Sequence, residues 1–150
     1  MIGTPAYLHI VRASAWYDLV VTIGFATPWT FLVILSGLEA LSRLLGITAG
    51  FPTFEPAHML MVNLLGSIVT IWSILRLRDP QVQYGRYDAA GRFLFSTWQL
   101  YALVHGAHPI VWGFLVIEVA FGIAQVLPID AGRRAKHVPS PQTESGCPTA

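Results

Sequence analysis

Glu118 stands in FLVIEVAFG and is the only Asp, Glu, Lys or Arg between Arg92 and Asp130. An ionisable group in a long apolar helix is expensive, and marks a proton, ion or ligand site by default. Polar residues at helical spacing lie on the other apolar stretches too. Glu118, Gly122 and Gln125 fall at i, i+4 and i+7; Asp88, Arg92, Ser96 and Gln99 share a face; so do Asn63, Ser67 and Thr70, and Asp18 with Thr22. If these stripes turn inward together, Glu118 meets Gln99 and Ser67, and Asp18 meets Arg92. Glu118, Gln99, Asn63 and Ser67 are therefore candidates for a ligand or proton site. No cation is expected at the depth of Glu118, so it reads as a hydrogen-bond donor or a proton-exchanging acid. Asp18, Asp88 and Arg92 read as a structural ion pair, because pairing lessens the cost of burying either charge. The uncharged groups have a plainer role as well, since small and polar side chains join membrane helices to one another.

A second group comprises Glu55, His58, His105 and His108. Three imidazoles and a carboxylate at one depth could hold a divalent transition metal. His58 and His105 could alternatively be the axial ligands of a b-type haem between helices. The competing reading is that these residues cap helix ends beside water. No HxxxH pair supports the metal, and HGAHP is a turn. Walker, GxGxxG, GxSxG and HExxH signatures are absent. The lone cysteine, Cys147, has no partner for an internal disulfide.

The elements that must position these residues are membrane helices. From His58 to Arg76 the chain runs about eighteen residues without an ionisable group, enough to span roughly 30 Å of hydrocarbon. Only 11% of the 150 residues are charged, against about 25% in soluble domains. The expected fold is all-α: an integral membrane bundle of four transmembrane helices over 13–128. The spans are placed at about 13–36, 57–78, 88–106 and 109–127. Residues 1–12 form a cytoplasmic start, and 129–150 a disordered cytoplasmic tail rich in Pro, Ser and Thr. Pro28 should kink the first span. The leucines of GLEALSRLLGI, 37–47, suit a short interfacial helix after it. Trp16 and Asp18 in the first apolar run argue for a retained span rather than a cleaved signal.

Seven of the nine Lys and Arg residues fall on the side holding both termini and the 79–87 loop, counting Arg76 and Arg78 at the end of the second span. The positive-inside rule puts that side in the cytoplasm and the protein in the bacterial inner membrane. Membrane topology explains these charges, and attraction to anionic lipid is expected of them; they need no nucleic acid.

An arginine before the first span, an amphipathic segment after it, a Pro-containing loop into the second span and a basic two–three loop together resemble the DoxX-like four-helix bacterial membrane proteins. The resemblance covers about residues 10–128. It implies a small inner-membrane protein, with some relatives linked to quinone or thiol redox systems. This chain has no membrane-side cysteine for a thiol relay of its own. The leading functional expectation is a non-catalytic subunit or accessory of a larger membrane complex, or a homo-oligomer. The alternatives are a quinone- or haem-binding redox protein that uses Glu118 and Gln99, or His58 and His105, and a small proton-coupled transporter.

Overall fold

A computed structural model of the chain describes residues 2–130. The expected tail from residue 131 onward, with Arg133, Arg134, Lys136 and Cys147, lies outside the described residues. The fold is all-α, with five helices. In order these are α1 (Thr4–Thr22), followed by a 3-10 turn (Ile23–Phe25), then α2 (Pro28–Leu44), α3 (Pro56–Arg78), α4 (Val82–Val104) and α5 (Val111–Val126). Two short strands, β1 (Ile2–Gly3) and β2 (Ile129–Asp130), pair in parallel. Residues 129 and 130 are thus part of the fold rather than of a tail.

The first expected span is corrected most. Residues 4–12 are helical, and Tyr7 and Val11 are fully buried. The helix then stops near Phe25, and the next one leaves at 107°. Thr27 and Pro28 cause the break. A residue before proline is driven to extended backbone, and Thr27 has φ −133° and ψ 151°. Its hydroxyl accepts from the Thr30 amide at 3.2 Å, and Pro28 takes the first helical position, where its missing N–H costs nothing. Pro28 therefore starts a helix instead of kinking one, and the expected interfacial segment 37–47 is largely the second half of α2. At the far end, Gly46 takes φ +72° and lets the Ile47 amide return to the Ser42 carbonyl at 2.9 Å.

The second and fourth expected spans match α3 and α5 closely. The third starts earlier than expected, because Asp79 and Pro80 already complete the break and the helix resumes at Val82. Among the described residues, α3 is the only single helix both long and apolar enough to cross a membrane. The bent pair of α1 and α2 passes the same test as one unit, and α5 is apolar but shorter.

α1 is the central helix. α3 packs along one side of it and the closely paired α4 and α5 along the other. Glycines set the closest approaches: a Cβ on Gly66 would lie 2.5 Å from the Phe25 carbonyl carbon, and one on Gly85 2.6 Å from the Tyr7 hydroxyl. At one end of the bundle, Tyr7 donates to the Gln125 carbonyl at 2.8 Å. Arg86 donates to the carbonyls of Gln125 at 2.9 Å and Leu127 at 3.0 Å, so the last turn of α5 is closed by side chains. This end gathers the chain start, the α3–α4 connection and the end of α5. The opposite end holds the α2–α3 and α4–α5 connections, joined where His108 stacks on Phe51.

The interior is polar and the surface apolar. Among the described buried side chains are Arg76, Arg92, Asp18, Asp88, Gln125 and four serines; the buried apolar ones are few, with Tyr7, Val11 and Ala15 on α1 and Phe31, Ala89 and Leu115 on other helices. The outer face of α3 leaves Leu60, Met61, Leu64, Ile68 and Ile71 each at least half exposed. A soluble domain sorts its residues in the opposite sense.

Candidate functional site

Two guanidiniums and three carboxylates meet inside the bundle. Arg92, on α4, uses all three of its nitrogens. Nε donates to Asp88 at 3.2 Å, Nη2 to both oxygens of Asp18 at 2.7 and 2.8 Å, and Nη1 to Glu118 at 2.8 Å. One planar fork thus links α4 to α1 and α5, a geometry that a point charge such as lysine does not reproduce. Arg76, on α3, is fully buried. It donates to Asp18 at 2.6 Å, to Asp88 at 2.5 Å and to the Ser14 hydroxyl at 3.0 Å. Around them, the Trp72 indole and the Gln125 amide donate to Asp88 at 3.1 and 2.8 Å, and Ser14 donates to it at 3.1 Å.

This network floors a groove of about 730 Å³. Near their connection α3 and α4 are tied together by the Arg76–Asp88 and Trp72–Asp88 bonds and by the edge contact of Trp72 with Tyr84. Further from it they enclose open space, with Leu65, Ile68 and Val69 on one wall and Phe95 and Trp98 on the other. Asp18, Asp88, Arg92 and Glu118 lie at the base, and the lining is mostly apolar. Tyr17 and Gln99 also line it, and the Tyr17 hydroxyl and the Gln99 carbonyl oxygen have no protein partner. Apolar walls around a few convergent polar groups are the usual make-up of a small-molecule site, and the volume falls inside the usual range of about 300–1,000 Å³.

The structure brings Asp18, Asp88 and Arg92 together, and adds Glu118 to the same network. The expectation that Glu118 lacks a cation at its depth is therefore corrected. α4 begins at Val82, six residues before the expected start at Asp88, so Arg92 lies near the middle of the helix rather than just inside its end. Glu118 and Gln99 both line the groove, whereas Asn63 and Ser67 do not; the Asn63 carbonyl oxygen is buried without a partner elsewhere on α3.

The histidines do not assemble. His105 is exposed and stacks on Tyr101, with Nδ1 2.8 Å from the Tyr101 carbonyl. His108 is buried, with Nε2 3.0 Å from the Ala49 carbonyl, while Glu55 and His58 lie exposed at the start of α3. Among the described residues no group of three or more His, Cys, Asp or Glu is disposed to hold a metal ion.

Comparison with protein-family models, curated proteins and solved structures finds no match. The site must be read from its own geometry. Arg76 is the residue that the sequence reading missed, since RLR at the end of an apolar helix looks like a topological signal. Its neighbours carried the information: Gly66, Ser73 and Arg76 form one small and polar stripe of α3, and all three are buried. Arg86 was likewise counted as a membrane-edge charge, and serves to cap α5.

Proposed function

We propose that the protein is an integral membrane protein of the bacterial inner membrane, and that the α3–α4 groove holds a lipid-soluble molecule entering sideways from the bilayer. The observation that carries this reading is the groove itself: apolar walls open between two helices over a charged, hydrogen-bonding floor. The polar interior and apolar exterior support the membrane setting. The most apolar window of α3 is only 17% buried, unlike the core helix of a soluble domain. At roughly 1.5 Å per residue, α1 with its 3-10 turn, α3 and α4 each reach about 33–35 Å, enough to cross. α5 is nearer 24 Å, and local bilayer thinning accommodates a segment of that length. α2, turned through 107°, lies along the outer surface. Four crossing segments and one surface helix keep the layout that resembles the DoxX-like proteins, with both termini cytoplasmic.

A ligand-binding role takes precedence here over a purely accessory one, because a scaffold helix pair would close where α3 and α4 open. The accessory or self-associating reading has its own support in α2, which leaves Trp29, Leu32 and Val33 exposed. Gly91 separates the two. It lines the groove, and a Cβ there meets nothing within 4 Å. In native mass spectra from mild detergent, the wild-type chain should carry a small lipid-soluble adduct that Gly91→Leu loses while keeping its oligomeric state. Identical adducts in both proteins would contradict the ligand reading.

A further inference from the structure

The floor of the groove is one positive charge short. Two guanidiniums face three carboxylates, and the bonds are shared unequally. Asp88 accepts from both arginines and from Trp72, Gln125 and Ser14. Asp18 accepts from both arginines. Glu118 accepts once, from Arg92 to Oε2. Asp18 and Asp88 thus match the two arginines, and Glu118 is the surplus acid, at the edge of the network that faces the groove. The ionisable groups around it are Tyr17 and Asp18 from α1 and Tyr87, Asp88 and Arg92 from α4. From α3 there is only Arg76, buried behind the two aspartates. Among the described residues no lysine or histidine lines the groove. The lining also includes Phe95, Trp98 and Phe114, aromatic rings of the kind that attract cations, while the Trp72 ring already has the Arg76 guanidinium 5.6 Å from its centroid.

Resting on the reading of this groove as a ligand site, we propose that its occupant is a lipophilic organic cation, paired with Glu118 and exchanging there with a proton. On binding, the carboxyl O–H bond of Glu118 breaks, the proton leaves to water, and the cation takes its place beside the carboxylate. Charge is conserved in the exchange. The polar floor is neutral in both states, so neither leaves an uncompensated charge in a low-dielectric site.

The test uses the full-length chain in detergent, with tetraphenylphosphonium as the cation, tetraphenylborate as its anionic counterpart of the same shape, and a decyl-benzoquinone as a neutral ring. Tetraphenylphosphonium should bind saturably at one per chain and release up to one proton. Its affinity should rise by up to about tenfold per pH unit while Glu118 titrates. Glu118→Gln should weaken it at least about tenfold and abolish proton release, Glu118→Asp should restore part of both, and tetraphenylborate should not compete. If Glu118→Gln fails to fold, the wild-type pH slope and the contrast between the two ions decide the matter. Equal binding of the quinone and the cation, unaffected by pH and by Glu118→Gln, would overturn the cation while leaving the groove reading intact. Absence of binding by any probe, with Gly91→Leu indistinguishable from wild type and a second copy of the chain in the native mass, would overturn both.

Discussion

Arg76 and Arg78 are two residues apart on α3 and differ in every physical respect. Arg76 is fully buried and holds two carboxylates; Arg78 is exposed at the helix end. Replacing Arg76 with Met strands Asp18 and Asp88 with one guanidinium between them, so unfolding in detergent should show a loss of about 3–5 kcal/mol. Arg78→Met should stay within about 0.5 kcal/mol of wild type. Arg92→Lys should fall between wild type and Arg92→Leu, since an ammonium keeps the charge but cannot extend three nitrogens to Asp88, Asp18 and Glu118. At this scale the sequence disclosed part of the site. The spacing of Asp88 and Arg92, and the depth of Glu118, identified groups that do meet under the groove; Gln99 lines the groove but its carbonyl oxygen has no protein partner, so the expected meeting of Glu118 with Gln99 is not seen. The link from Arg92 to Glu118 was hidden because depth was counted along each span separately, and the register between helices is set by packing. Arg76 was hidden because a basic residue at a helix end has two explanations that composition cannot tell apart.

Helix boundaries were legible wherever one strong local signal acted alone. Pro56 opens α3, Asp79–Pro80 closes it, and Gly106 at φ +90° ends the turn after α4. The first helix was misplaced because hydropathy outweighed the cap: ATPWT carries both the extended pre-proline residue and the N-cap threonine, yet lies in the middle of an apolar run. Helix packing turns on the same kind of local detail, and glycines report it. Gly66→Ala pushes a methyl group into the Phe25 backbone and should cost about 1–3 kcal/mol by thermal unfolding, as overpacking does. Gly91→Ala meets open space in a helix interior and should be neutral, or stabilising by up to about 1 kcal/mol. Equal effects at both positions would mean that α3 does not rest on the 3-10 turn.

In the whole molecule, the polar residues are gathered inside and the apolar faces are turned out. That arrangement is the reason to read a bilayer around the bundle and a lipid-side opening between α3 and α4. The proposed crossing puts the two ends of the bundle in opposite compartments. With Cys147 replaced by Ser, cysteines at Gly50 and Gln83 should react with an impermeant maleimide from opposite sides of inner-membrane vesicles; reaction of both from one side would contradict the crossing. The proposed ligand site depends on something narrower: a groove that opens to lipid rather than to water. A nitroxide on Gly91→Cys, in the Cys147→Ser background and reconstituted in phospholipid, measures it directly through collisions with molecular oxygen, which concentrates in the bilayer, and with a water-soluble nickel chelate. A lipid-side opening gives frequent collisions with oxygen and few with nickel, whereas ready access for nickel at Gly91 would contradict it.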